Sequence, residues 1–409
     1  KPVAAFSRFA RDWPMLPLTG VRILAVEQYG AGPFGTMQLA DLGAEIVKIE
    51  NASDGGDVGR HVRHPNDPLA KGDSLFFQSF NRNKRSITLN LKNADGQAIF
   101  RKLAAGADAV FNNLRGDLPG KLGLTYDELK DVNEKIVCVH LSAYGRFGER
   151  AAWPGYDYLM QAECGYLSVT GEPGGAPARM GLSLVDLSTG LQAAIALSSG
   201  IIGARTTGKG GDYDVSLFDA ATANLAYVAA WYLTMGEKVT REPRSAHPNL
   251  TPSQLYKTKD GWIFLMCNKE KFWPALCNAI GEPEMAAIYP DFATRLKHRD
   301  RLTELLDEAL SAKTTAEWMV VFGGKVPAAP VNDIAEALDN PFARSTGQQI
   351  RYTAPDGTKV GSTGSAVRIP GVPPLAHPAP AMAADQASIL AELGLSKDEI
   401  EALRQAGAF

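Results

Sequence analysis

The residue in this chain best suited to do chemistry is an aspartate, Asp186, in the run Val185-Asp186-Leu187-Ser188-Thr189-Gly190. A carboxylate in such a place either caps a helix or attacks an activated carbonyl. From Leu187 onward leucine, alanine and isoleucine recur at helical spacing, which puts Asp186 at a helix start. There its carboxylate is expected to accept the N–H groups of Ser188 and Thr189, and the positive end of the helix dipole is expected to keep it ionised. An ordinary N-cap has the same composition, so Asp186 gains a chemical role only from what surrounds it. Asp157 and Gln161 lie one helical turn apart in Gly155-Tyr156-Asp157-Tyr158-Leu159-Met160-Gln161, so both can face one site.

A glycine-rich turn supplies a second element. Gly30-Ala31-Gly32-Pro33-Phe34-Gly35 is formally a GxGxxG, and Glu50 ends the following strand where a ribose-binding acid would stand. Taken literally, this is a dehydrogenase fingerprint. Two glycines and a proline at the first helical position equally suit any tight strand-to-helix turn whose bare backbone approaches a phosphate or a thioester. A third element is Asn81-Arg82-Asn83-Lys84-Arg85-Ser86, whose cations and amides between apolar segments would suit a nucleotide phosphate or, as plainly, a solvated surface. A fourth is Asn113-Leu114-Arg115-Gly116, at the carboxyl end of a strand, where open α/β sheets place their ligands. Gly203 to Gly210 nearly spells a P-loop, but Gly210 stands in place of the required Ser or Thr and the segment follows a helix, so it reads as a helix stop.

The elements that must position these residues alternate. Strand, turn, helix and strand run from Val21 to Glu50, and the alternation resumes with a helix at Asp95 to Ala105, the strand DAVFNN, a helix at Thr125 to Val132 and the strand KIVCVHLSAYG. A doubly wound parallel sheet is expected. Asn51 to Gly72 shows no period and reads as a long loop in the place of a lid or clamp. Residues 254–320 read as a separate α/β unit, and IRYTAPDGTKVG reads as a hairpin before a helix from Ser388.

At 409 residues the chain exceeds one typical core, so two domains are expected. Its 42 basic against 45 acidic residues, net charge −3, argue against a nucleic-acid or anionic-membrane partner. Cys138, Cys164, Cys267 and Cys277 have neither CxxC nor Cys/His ligand spacing, so no metal site is expected and reduced thiols point to a cytoplasmic setting. The first fifteen residues lack a continuous apolar stretch, and no run of about eighteen apolar residues follows.

With these pieces assembled, the chain resembles the class III CoA-transferases, the family of formyl-CoA:oxalate, carnitine and succinyl-CoA:hydroxymethylglutarate transferases. The matching segments are PLTGVRIL, AGPFGTMQLADLGAEIVKIE, NRNKRSI, LGLTYDELK, GYD, VDLSTG, TGKGG, YKTKDG and ELGLSKDEIEAL, in family order along the chain. The resemblance implies an interlocked homodimer. It implies a Rossmann-like large domain built from both chain ends (1–202 and 326–409), a linking and crossing segment (203–253) and a small α/β domain (254–325). It implies no permanently bound cofactor, with coenzyme A as substrate, and a reaction in which Asp186 is the nucleophile and passes through an aspartyl-CoA thioester.

Residue by residue, Gly30 and Ala31 match the turn that holds the thioester, although formyl-CoA transferases carry glutamine at the position of Gly30, which leaves backbone N–H groups to bind an oxyanion. Asn113 and Lys121 match positions near the CoA nucleotide, with Lys84 and Arg85 as further phosphate candidates. Asn51 stands where formyl-CoA transferases have arginine, and PNLTPSQLYKTKDG resembles the succinyl-CoA-using branch. Tyr156, Asp157 and Arg179 are the substrate candidates. Arg179 matches an arginine of the hydroxymethylglutarate branch and is expected to clamp the distal carboxylate of a dicarboxylic acyl group, such as that of succinyl-CoA. The competing readings are a 2-methylacyl-CoA racemase and a catalytically silent CoA-binding protein. Racemases carry histidine directly before the aspartate matching Asp157, and Tyr156 is a poor base at neutral pH.

Overall fold

A computed structural model describes residues 16–409. Six strands form one sheet: β1 Arg22–Val26, β2 Glu45–Glu50, β3 Arg85–Thr88, β4 Ala109–Asn112, β5 Val137–Ser142 and β6 Gly211–Ser216. Their order is β3-β2-β1-β4-β5-β6 and every pairing is parallel. The strand order reverses between β1 and β4, which opens a crevice at their carboxyl ends. Near-continuous apolar runs such as Ile46, Val47 and Ile49 in β2, or Val137, Cys138 and Val139 in β5, are buried throughout because helices cover both faces.

Along the chain to Ala223 the α-helices are α1 Ala31–Asp41, α2 Leu75–Asn81, α3 Ala94–Ala105, α4 Tyr126–Leu129, α5 Asp157–Glu163, α6 Tyr166–Val169, α7 Leu184–Thr207 and α8 Leu217–Ala223. One face of the sheet buries Leu24, Val47, Ile87 and Val110 against Ile99, Phe100 and Leu103 of α3 and against Ile389 and Leu390 near the C-terminus. Over β5 and β6 lies α7, where a Cβ on Gly200 would sit 2.7 Å from Val137 Cγ1. By length and composition α7 would also suit a membrane crossing, but Val185, Ala193, Leu197, Ile201 and Ala204 are buried in this fold. Its outer ridge of Leu191, Ile195 and Ile202 is exposed.

The chain divides into two compact units. The first takes in the described residues up to Cys164, Leu182–Leu225 and Arg344–Phe409; the second is Gly165–Gly181 with Ala226–Ala343. The expected boundaries therefore move. Residues 203–225 are not a linker, since β6 is the edge strand of the large sheet and α8 follows it directly. Residues 326–343 go with the second unit because the strand Ala328–Pro330 completes its antiparallel sheet with Ser253–Lys257 and Trp262–Met266. That unit has its own core of Tyr256, Ile263, Leu265, Trp273, Leu302, Leu306, Trp318 and Phe322. The expected hairpin pairs Gln349–Thr353 with Lys359–Thr363 in the first unit.

Candidate active site

The site is built where α1 and α7 touch backbone to backbone. A Cβ on Gly35 would lie 2.3 Å from the Gly190 carbonyl oxygen, and one on Gly190 would lie 2.5 Å from the Ala31 oxygen. Neither position tolerates a side chain, and the two helices approach closely because both have none there. One turn before Gly190, Asp186 consequently lies against the start of α1. A Cβ on Gly30 would come within 2.9 Å of Asp186 Oδ2. The nucleophile candidate and the glycine turn of β1–α1, 156 positions apart in sequence (186 − 30), form one place.

Asp186 is not the cap of its helix. The helix begins at Leu184, with Ser183 at the cap position, so Asp186 is its third residue. Its backbone N–H donates to Asp157 Oδ2 (2.9 Å), while Gln161 Nε2 donates to Asp157 Oδ1 (2.6 Å) and to the Leu182 carbonyl (3.2 Å). Asp157 and Gln161 do share one site, and their task there is to hold the entry of α7. No hydrogen bond among the described residues reaches the Asp186 carboxylate, which is 7% exposed. Burial therefore pushes its pKa up from 3.8 to about 7, with the neighbouring Asp157 carboxylate adding to the rise. This corrects the expectation that the helix start keeps Asp186 comfortably ionised: desolvation and a like charge outweigh the dipole. The result is a proton-hungry carboxylate facing a bare glycine turn, an arrangement that suits either a proton acceptor or a nucleophile.

The turn is held by a buried ionic lattice. Glu27 accepts from Thr36 Oγ1 and from Lys84 Nζ (2.7 Å), Lys48 Nζ pairs with Asp57 (2.7 Å), and Asp57 Oδ1 accepts the N–H groups of Tyr29 (2.8 Å) and Gly59 (2.7 Å). Arg60 binds Glu50 through two nitrogens, and Glu50 also accepts the Asp57 N–H and the Ser86 hydroxyl. Here Glu50 is a buried anchor in an ion pair, not a ribose ligand, and these bonds hold its carboxyl down at about 2 despite the burial. The loop after β2 is likewise fastened at Asp57 and Arg60, and Arg63 gathers the carbonyls of Asp67, Leu69, Ala70 and Asp73, so it is a fixed clamp on the turn.

The predicted phosphate cations have other occupations. Lys84 is buried, and its three donors go to Glu27, the Pro33 carbonyl and Asn81. Arg85 pairs with Glu45 and Glu392. Arg82 and Asn83 both bind Asp41. The NRNKRS run therefore ties β3 to α1, β2 and the helix Gln386–Glu392, and none of its cations points to a ligand. By contrast the Asn113 segment lies in the crevice. The Asn113 side chain accepts the Gln28 N–H (2.8 Å) and donates to the Gln28 carbonyl (2.7 Å), bridging the β1 and β4 exits. Beyond it Arg115 and Lys121 share Asp117, and Lys121 is 66% exposed. Asn51 caps a short turn by accepting from Ser53.

Tyr156 stands at the cap position of α5 and is exposed. Arg179 belongs to the second unit, where its Nη1 donates to the Met180 carbonyl. Two residues drew no attention in the sequence. Tyr29, between the strand and the glycines, has a left-handed backbone (φ 68°), and its phenol pKa is raised by burial, by Asp186 and by Tyr158 and Tyr156. A bulky residue directly before a glycine turn was the available signal. Asp57 gave none, being one acid in a polar loop.

Known proteins resemble this chain along most of its length. The model of CoA-transferase family III matches residues 18–386. The chain is 33% identical over 388 residues to a succinate–glutarate CoA-transferase of Agrobacterium fabrum, covering 92% of this chain and 96% of that protein. It is 34% identical over 358 residues to a human succinyl-CoA:glutarate CoA-transferase, covering 86% and 80%. Among solved structures, a CAIB/BAIF family protein from Brucella suis superposes with a TM-score of 0.79 at 31% identity over 93% of this chain and all of that one.

Proposed function

The chain belongs to CoA-transferase family III, and from that premise we propose that it moves CoA from a dicarboxylyl-CoA, succinyl-CoA foremost, to a short dicarboxylate such as glutarate through a thioester on Asp186. The observation that carries the proposal is the Asp186 carboxylate set against the side-chain-free turn at Gly30. With no side chain at Gly30, a thioester carbonyl can come within reach of the carboxylate from that side, and the first N–H groups of α1 are left to meet the developing oxyanion.

The steps balance without any further reagent. Asp186 Oδ attacks the thioester carbonyl, giving a mixed anhydride and CoA thiolate. The thiolate attacks the Asp186 carbonyl, giving the aspartyl-CoA thioester and releasing the donor acid. The acceptor carboxylate attacks that thioester, forming a second anhydride and thiolate, and the thiolate takes the acceptor acyl group to leave Asp186 free. A carboxylate with pKa about 7 is a stronger nucleophile than an ordinary aspartate, at the cost of being about half protonated at neutral pH. Asp157 accepts the Asp186 N–H and keeps the helix entry in place through each step. The named activities of the relatives support the dicarboxylic substrates, and Arg179 is the candidate clamp for the distal carboxylate.

We further propose a homodimer. The helix Ala226–Met235 has no buried residue, and Tyr227, Tyr232, Leu233 and Met235 are exposed, as is the Leu191, Ile195 and Ile202 ridge of α7. Such apolar surface calls for a partner. The functional test is incubation of the protein with succinyl-CoA and a panel of mono- and dicarboxylates, with product CoA esters resolved by mass. Glutaryl-CoA formation is expected; in a parallel incubation with a 2-methylacyl-CoA in deuterated water, α-proton exchange without a new CoA ester would establish the racemase instead.

A further inference from the structure

We propose that the Tyr29 hydroxyl donates a hydrogen bond to the acyl carbonyl oxygen as the thioester meets Asp186, a task for which Gly30 has no side chain. The inference rests on Asp186 being the nucleophile. Tyr29 immediately precedes Gly30, the residue whose missing Cβ would lie 2.9 Å from Asp186 Oδ2. Its backbone is in the left-handed region at φ 68°, which a side chain larger than glycine's adopts only when the surroundings insist.

Here two things insist. The Tyr29 N–H is taken by Asp57, itself fixed by the buried Lys48 ion pair. The ring packs on Phe76 (centroids 5.1 Å apart), which packs on Phe80 (4.9 Å), which meets Phe34 of α1 edge-on (6.2 Å). With backbone and ring both fixed, the phenol is a rigid donor beside the carboxylate, and at 39% exposure it remains open to a substrate. The phenol pKa is raised above its usual value, by burial and then by Asp186, so the hydroxyl holds its proton at neutral pH. Tyr156 and Tyr158 are more exposed, at 62% and 45%.

The test is Tyr29→Phe, which removes one oxygen and keeps the ring on Phe76. We expect kcat to fall about a hundredfold, the scale of losing one oxyanion donor, with KM for succinyl-CoA within about twofold and thermal stability unchanged. In rapid-quench experiments the adduct on Asp186 is expected to form about a hundredfold more slowly yet reach the same final amount. Tyr29→Gly, which relieves the left-handed strain, is expected to be folded and equally slow. Adduct formation at the wild-type rate in either variant, or a rise in KM with kcat unchanged, overturns the role of Tyr29 alone. Absence of any Asp186 adduct in the wild-type enzyme overturns the nucleophile assignment and Tyr29 with it.

Discussion

Replacing Asp186 by asparagine is expected to abolish transfer and, at the same time, to make the protein more stable above neutral pH. The carboxyl pKa rises from 3.8 to about 7 in the folded chain, because burial and Asp157 disfavour the anion. Below pH 3.8 both folded and unfolded states hold the proton and nothing is lost. As pH rises from there the unfolded chain releases its proton while the folded chain keeps it, so stability declines until the folded carboxyl also ionises near pH 7. Each tenfold change in proton affinity corresponds to about 1.4 kcal/mol, so the full cost is about 4 kcal/mol on the alkaline side. With only 7% of Asp186 exposed, solvent screening reduces this little. Asparagine has nearly the same shape and carries no charge. Urea unfolding of ligand-free wild type and Asp186→Asn at pH 8.0 and at pH 4.5 measures the difference directly. The variant is expected to be more stable by about 2 to 4 kcal/mol at the higher pH and by about 1 kcal/mol at the lower. An equal difference at both values, or a variant less stable at pH 8.0, would refute the argument that Asp186 is held in strained ionisation.

Gly190→Ala puts a methyl 2.5 Å from the Ala31 carbonyl oxygen, so α1 and α7 must part; a loss of about 1 to 3 kcal/mol in denaturant unfolding, with at least tenfold lower transfer, is expected. Asp157→Asn removes the charge that adds to the Asp186 pKa, so the acid limb of the kcat/KM profile is expected to move to lower pH, and an unmoved limb would exclude the coupling. Arg179→Met is expected to lower kcat/KM at least tenfold for dicarboxylic substrates and to spare monocarboxylic ones, the scale of one lost ion pair in a desolvated site. Equal loss on both, or none, would remove Arg179 from the substrate.

How much of this was legible beforehand depends on the reach of each interaction. The sheet was readable because its strands are buried on both faces and separated by helices of their own period, as Glu45–Glu50 and Val137–Ser142 illustrate. Asp186 and the Gly30 turn were each legible, since one opens a helix and the other closes a strand. Their meeting rests on Gly35 and Gly190, two glycines whose facing no periodicity announces. The NRNKRS run misled for the same reason. Its partners Asp41, Glu27, Glu45 and Glu392 lie up to some 300 positions away, and a cation with a distant carboxylate looks in sequence like a cation awaiting a phosphate. The Asp186 pKa was misjudged because the helix start is visible in sequence while burial and the Asp157 carboxylate are not.

The central claim is that Asp186 itself carries the CoA. Mixing the enzyme with succinyl-CoA in the absence of acceptor, trapping with borohydride and mapping peptides by mass reads this out, because a thioester on the side chain is reduced to the alcohol and an ordinary carboxylate is not. Homoserine is expected in place of Asp186, within the first turnover, at this residue alone and in proportion to active sites. Reduction at any other residue, or none while transfer proceeds, would contradict it.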